Sequence, residues 1–270
     1  MHHPWARGPR SAAQELIGPA LLDAALVGRP RVHAVAIGDE SRVGLEAIAR
    51  GLENEQDRAA ILEVDLQKRS ARVFASGLRN PNGLDWQPAT KELWTAVNER
   101  DEIGDHLVPD YITAVRDGAF YGWPYSYFGA HVDSRVKPQD PAMVAKATAP
   151  DYAVGSHTAS LGLAFYRASD SASALFPDRY RSGAFIGQHG SWNRSEFSGY
   201  RVVFVPFDAN GRPTGPIENF LTGFIDDDNK AMGRPVGVVI DKSGALLVAD
   251  DVGNRIWRVS PQSESVSRNR

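Results

Sequence analysis

The 270-residue chain contains no cysteine. That excludes disulfides, thiolate metal centres and cysteine nucleophiles, and it is compatible with either redox compartment. No apolar run approaches the roughly 20 residues that a membrane-spanning helix needs, so no membrane span is expected. Positive charge is not in excess either. Thirty Lys and Arg stand against 33 Asp and Glu, a formal net charge of −3, which leaves no bulk attraction to nucleic acid or anionic lipid. The signatures H-E-x-x-H, G-x-S-x-G, the P-loop and G-x-G-x-x-G are missing, so zinc protease, esterase and nucleotide-binding readings lack support. At the N-terminus, Pro19 and Asp23 interrupt "LIGPALLDAALVG", and the segment makes a poor signal-peptide core. Residues 1–30 are expected to form a helical or disordered lead-in, and residues 263–270 a disordered tail.

What is present is a soluble, globular composition, 42% hydrophobic and 23% charged, with a recurring pattern from residue 31 to 262. A glycine opens a short apolar strand, a polar turn follows, and a second apolar strand ends in acidic or amide residues. "NGLDWQPATKELWTAVNE" is one copy, "LGLAFY" with "GAFIGQHGSWN" a second, "VGVVIDKSGALLVADD" a third, and "RVHAVAIGDES" a shortened first copy. Third strands follow in "AAILEVD", "YRVVFVPF" and "NRIWRVS". Each unit is a small antiparallel meander that cannot bury both faces alone, and repeats of about 40 to 50 residues built this way suggest propeller blades. A β-sandwich is the alternative all-β packing. The polar strand ends Asn98-Glu99, Gln188-His189 and Asp250-Asp251 recur at one relative place, which favours a propeller whose strand ends gather at an axial opening. The prediction is all-β, a partial β-propeller of about four blades. "RDEIGDHLVPDYITAVRDGAFYGWPYSYFG" reads as a long insertion between copies, and long ordered loops usually carry function.

Three groups of residues could carry chemistry. Asn98, Glu99, Asp101, Glu102, Asp105 and Asp110 crowd one segment, as hard oxygen ligands for Ca²⁺ do, without the spacing of an EF-hand; a solvated acidic loop is the alternative. Arg79, Arg100, Arg194 and Arg234 sit in Gly-, Asn- or Pro-rich turns at the strand ends. Cations converging on one opening call for an anion, and Arg binds carboxylates and phosphates bidentately. His157 and His189 are candidate bases or donors.

Taken together, "FASGLRNPNGLDW", "LWTAVNERDEIGDHLVPDY", "AFYGWPYSYFG", "GSHTASLGLAFY", "FIGQHGSWNR" and "GRPVGVVIDKSGALLVADD" resemble the L-sorbosone dehydrogenase branch of the soluble glucose/sorbosone dehydrogenase family, from about Val35 to Val259. The resemblance implies a six-bladed propeller, pyrroloquinoline quinone and Ca²⁺, oxidation of a small sugar or aldehyde, a separate electron acceptor, and a periplasmic or secreted setting. It implies that Arg79 polarises the reactive quinone carbonyl. Asn80, Arg100, Ser160, His189, Arg194 and Arg234 would contact the cofactor. The Glu99–Asp101 backbone would hold the cofactor's Ca²⁺, and Asp105, Asp110 and the Tyr121 carbonyl would form a structural Ca²⁺ site. The family's catalytic His belongs to an earlier blade, and "SAAQELIGPALLDAALVGRPR" contains no counterpart. Three readings follow: a quinone-dependent sugar oxidoreductase, a truncated calcium-binding propeller with weak or no turnover that self-associates through its open edges, and a lactonase-like calcium-dependent hydrolase.

Overall fold

The computed structural model describes residues 58–261 and the backbone of two earlier strands, β1 (Val27–Arg29) and β2 (Val32–Ile37). Apart from β1, the expected lead-in lies outside the described residues, as does the expected tail.

The repeats are four antiparallel sheets in series. The first has the order β1-β2-β3-β4, with β3 at Ala60–Asp65 and β4 at Ser70–Ser76. The second is built from β5 (Asn80–Trp86), β6 (Leu93–Asn98), β7 (Pro109–Ala114) and, after a long excursion, β10 (Tyr152–Ser156). The third joins β11 (Ser160–Phe165), β12 (Gly183–Gln188), β13 (Arg201–Pro206) and β14 (Glu218–Leu221). The fourth has three strands, β15 (Pro235–Ile240), β16 (Leu246–Asp250) and β17 (Arg255–Val259). The excursion between β7 and β10 holds a two-stranded hairpin of β8 (Ser126–Tyr127) and β9 (His131–Val132) and a short helix, α1 (Pro141–Lys146). Part of the expected insertion is therefore blade: "PDYITA" is β7, paired to β6 with Tyr111 opposite Val97. Its acidic flank hides the strand from a reading by composition.

Aspartates set the turns. In β15–β16, Asp241 Oδ1 accepts from the backbone N–H of Ser243 and Ala245, at 2.8 and 3.0 Å. Asp208 does the same for Asn210 and Arg212 between β13 and β14, and Asp65 for Gln67 and Lys68 between β3 and β4. An Asp side chain that bonds two or more residues ahead closes a turn without a backbone partner.

Apolar cores lie between successive sheets, as they must when a twisted sheet buries its faces only against its neighbours. Ile61, Leu78, Val97, Tyr111 and Tyr121 fill the first interface. Trp94, Ile112, Phe165, Ile186, Val203 and Phe207 fill the second. Phe185, Phe204, Leu246 and Val248 fill the third, with Phe176 and Tyr166. Two glycines let the inner strands close on each other. A Cβ on Gly83 of β5 would meet the backbone at Leu161 O, 2.5 Å away, and at Gly162 C, 2.9 Å away; one on Gly162 of β11 would meet Val236 O and Val238 N of β15. These two positions repeat one contact at successive blade junctions, so the glycine within each of these strands reflects backbone approach. The far face of the fourth sheet has no such neighbour among the described residues. Val239 is 54% exposed and Ile256 72% exposed there.

Candidate functional site

Leu78, fully buried, pins the segment before β5 through its N–H to Ala59 O. The next residue, Arg79, turns inward and is only 8% exposed. Its Nη1 donates to Glu99 O at 2.6 Å and its Nη2 to Asp101 Oδ2 at 3.1 Å, and its Nε is buried with no acceptor. It lines a cavity of about 200 Å³ with Asn80, Asn98, Glu99, Asp101, Asp110, His157, Trp192 and Asn193. The cavity sits where β5, β6 and β11 meet the loops after β6, β10 and β12.

Asp101 is the hub. Besides Arg79, it receives Asn193 Nδ2 at 2.9 Å on Oδ1, and His157 Nδ1 lies 3.3 Å from that oxygen. Burial raises its pKa, but His157, Arg79 and Asn193 together hold it below the ordinary aspartate value. His157 Nε2 lies 2.9 Å from both Gly104 O and Leu107 O. Both ring nitrogens therefore face acceptors, which favours imidazolium; the bond to Asp101 raises its pKa against the opposing effect of burial. Asp110 lies deeper. Its carboxylate accepts from Glu99 N at 3.0 Å, from Thr158 Oγ1 at 3.0 Å and from Ser160 N at 3.4 Å. Burial nevertheless pushes its pKa up to about 6, and burial likewise raises that of Glu99.

Beside this cavity a second polar chain bridges the third and fourth sheets. His189, bonded through its backbone N–H to Ala159 O, has Nε2 3.0 Å from Asp251 Oδ2 and Nδ1 3.3 Å from Arg234 Nη1. Guanidinium can only donate, so Nδ1 carries the lone pair and Nε2 the proton. Arg234 Nη2 donates to Tyr200 OH at 2.8 Å, and Tyr200 OH to Ser191 O. Asp250 fixes Arg234 by accepting its backbone N–H at 2.8 Å.

The residues singled out from the sequence thus divide. Arg79, Asn80, Glu99, Asp101 and Asp110 share the cavity. Ser160 lies against its floor, its Oγ 2.9 Å from Thr158 Oγ1, and its carbonyl accepts Asn98 Nδ2 at 2.8 Å. His189 and Arg234 form the adjoining chain. Arg100 is turned into the protein: it is 1% exposed, pairs with Asp133 at 2.6 Å, donates to Pro124 O and Ser126 O, and lies over the Trp123 ring. Arg194 donates to Ser156 O at 3.2 Å, and Asp105 accepts from Ser195 N at 3.1 Å; both brace the loop after β12. Tyr121 belongs to the first core, its hydroxyl bonded to Ala114 O at 2.6 Å. The arginines therefore do not converge as a set. Among the described residues no three His, Asp or Glu side chains cluster as a metal site. The carbonyls of Glu99 and Asp101 already receive Arg79 and Arg135, although a carbonyl oxygen has a second lone pair. Sequence reasoning missed Trp192 and Asn193, which lie in the quoted "GSWNR" but carry no charge to draw attention.

Among the described residues, four serial sheets with a polar cavity at their strand ends form a partial β-propeller. A family model described as TrAA12-like matches residues 121–262, just over half of the chain, and the chain belongs to that family. The matched span holds Ser160, His189, Arg194 and Arg234 and begins after Arg79 and the acidic segment. The chain is 33% identical over 202 residues to an uncharacterized protein of Borreliella burgdorferi, covering 74% of this chain and 52% of that protein. It is 29% identical over 136 residues to a pyrroloquinoline quinone-dependent pyranose dehydrogenase of Coprinopsis cinerea, covering 44% of this chain and 17% of the enzyme. The fold matches the calcium structure of the Trichoderma reesei carbohydrate-active enzyme of family AA12 with a TM-score of 0.67, at 20% identity, over 84% of this chain and 64% of that one. The chain thus spans about half the length of the first relative and less than two thirds of the solved enzyme.

Proposed function

We propose that this propeller binds pyrroloquinoline quinone with Ca²⁺ and serves oxidation of a small sugar or sorbosone-like aldehyde, passing electrons to a separate acceptor outside the cytoplasm. The observation that carries this reading is the buried Arg79, whose side chain lines the cavity, beside Asn80 and within a TrAA12-like chain. The donor set fits a cation as well as an anion. Three carboxylates, Glu99, Asp101 and Asp110, face two cationic groups, Arg79 and His157, and burial raises the pKa of two of the three. A bound Ca²⁺ would favour the ionised carboxylates, held at the free lone pairs of the Glu99 and Asp101 carbonyls or at the carboxylates themselves.

When bound, the quinone supplies the two-electron acceptor chemistry. The protein's part is positioning and charge. Arg79 offers a fixed cation to developing negative charge. Asn80 and Asn193 offer amides that orient hydroxyl groups. Arg234, fixed by Asp250 and Tyr200, offers a second guanidinium for a carboxylate. His157 faces acceptors from both ring nitrogens, which favours its donor form, whereas His189 accepts from Arg234 on Nδ1, a lone pair released if Arg234 turns to a ligand carboxylate, with Asp251 steadying its protonated Nε2. At about 200 Å³ the cavity is smaller than the roughly 300–1,000 Å³ of pockets that enclose a drug-sized ligand. It grips one part of such a molecule, and weak turnover by this chain alone is the corollary. The test is fluorescence titration with pyrroloquinoline quinone in Ca²⁺ and in chelator, followed by sugar-dependent dye reduction on the same sample. Saturable, Ca²⁺-dependent binding supports the proposal. Folded protein that binds no quinone in Ca²⁺ overturns it.

A further inference from the structure

The loop from His189 to Tyr200 is tied down on both sides of one largely exposed residue. Gly190 N–H bonds Thr158 O at 2.9 Å and Ser191 N–H bonds Ser198 O at 2.8 Å. Ser198 N–H returns to Ser191 Oγ at 3.0 Å, and Ser198 Oγ reaches Ser156 O at 2.8 Å. Asn193 is anchored to Asp101. Between them Trp192 is 64% exposed, and its indole makes no hydrogen bond or ring contact with any described residue. An ordered loop that holds the largest apolar side chain in water, on the rim of a polar cavity, has the form of a ligand platform.

Depth decides what lies on it. The charged groups are on the floor, with Glu99 5% and Asp110 3% exposed, so a charged cofactor is drawn below. The rim combines Trp192 with the neutral amides of Asn80 and Asn193. An indole face beside carboxamides suits a ring that has an apolar C–H face and hydroxyls around its edge. We propose that Trp192 is the stacking platform for the pyranose ring of the substrate, and that it governs sugar affinity while leaving cofactor affinity alone. This rests on the oxidoreductase reading for its substrate class.

The experiment follows the indole N–H signal of Trp192, assigned by its loss in Trp192→Phe, in ¹H–¹⁵N spectra of the full chain with Ca²⁺ and pyrroloquinoline quinone. D-glucose and D-galactose are titrated, with glycerol as a ringless control. The sugars are expected to shift the signal saturably and glycerol to leave it in place. Trp192→Ala is expected to weaken sugar binding, and to raise KM in dye reduction, by about tenfold, the size of losing one aromatic face. Its quinone affinity should stay within about twofold, and Trp192→Phe should recover much of the loss. A parallel fall in quinone affinity would put the indole on the cofactor and overturn the proposal. So would an unmoved signal, or unchanged sugar binding in Trp192→Ala. If the chain binds no quinone, the oxidoreductase reading fails separately; the sugar titration of the Ca²⁺-loaded chain then decides Trp192 alone, a shift supporting the platform and no shift refuting it.

Discussion

Asp110 should make the protein less stable as pH rises through the mildly acid range. Its carboxyl is fully desolvated, and burial moves its pKa from 3.8 to about 6. An acid whose folded pKa exceeds its unfolded one binds more protons folded than unfolded between the two values, so stability falls with pH across that window. The difference corresponds to about 3 kcal/mol, lost between about pH 4 and pH 7. Glu99 acts in the same direction, because burial raises it too. Asp101 acts oppositely, but its folded pKa is below the ordinary value, so its contribution disappears only at lower pH. His157, raised by Asp101, contributes stability that is complete below about pH 6.5 and is lost as pH rises through its folded pKa. Urea unfolding, followed by tryptophan fluorescence in chelator from about pH 4.5 to about pH 7.5, measures the sum, and His157→Gln removes the histidine part. Asp110→Asn should be weaker at pH 5, because an amide cannot accept from all three donors, yet its profile should be flatter. Excess Ca²⁺ should flatten the wild-type profile by favouring the carboxylate. A wild-type profile already flat in chelator, or an Asp110→Asn profile with the full slope, would refute the reasoning.

Gly83→Ala should destabilise by at least 1–3 kcal/mol, the usual cost of overpacking, since the new methyl meets β11 backbone at 2.5 Å; an unchanged melting temperature would show that the blades can part. If dye reduction is detectable, His189→Gln should lower kcat by about 10²–10⁴-fold, while His157→Gln should mainly disturb Asp101 and quinone affinity; the opposite pattern would make His157 the base. Val239 and Ile256 lie on an uncovered sheet face, so light scattering should find concentration-dependent self-association that Ile256→Lys suppresses, whereas a monodisperse monomer at high concentration would argue against it.

Much of the blade pattern was legible because its physics is local. Alternating apolar runs, Asp-led turns such as Asp241–Gly244, and a glycine at strand starts each mark a unit without knowledge of its neighbours. β7 was not legible, because Asp110 interrupts its apolar run and belongs to the site as well as to the strand. The structure groups Arg79, Asn80, Glu99, Asp101 and Asp110 because β5 pairs with β6, Asn80 opposite Asn98, and β6 pairs with β7, which carries Asp110. Arg100 was misleading for a physical reason. It follows Glu99 in the chain but points to the opposite side, where Asp133 and two carbonyls receive its terminal nitrogens. Asp133 lies 33 residues away, and no local pattern announces such a pair. Trp192 was invisible in the same sense: its significance is its exposure, a tertiary property.

Arg79 also shows how charge in the cavity is arranged before any ligand arrives. Nη1 and Nη2 already donate to Glu99 O and Asp101, so an anion entering the cavity competes with the protein's own carboxylate for the same guanidinium. That competition eases if another cation takes over Asp101 and the Glu99 carbonyl. A site in which Glu99, Asp101 and Asp110 crowd around Arg79, the first and last with pKa values raised by burial, is therefore expected to hold a cation and an anion together better than an anion alone. Coupling of this sort is reciprocal: whatever factor Ca²⁺ adds to quinone affinity, the quinone must add to Ca²⁺ affinity. The chain's net charge of −3 has no bearing on it. Which carboxylates are buried beside Arg79 is set by the pairing of β5 with β6 and by the contacts of Asn193 and His157 with Asp101.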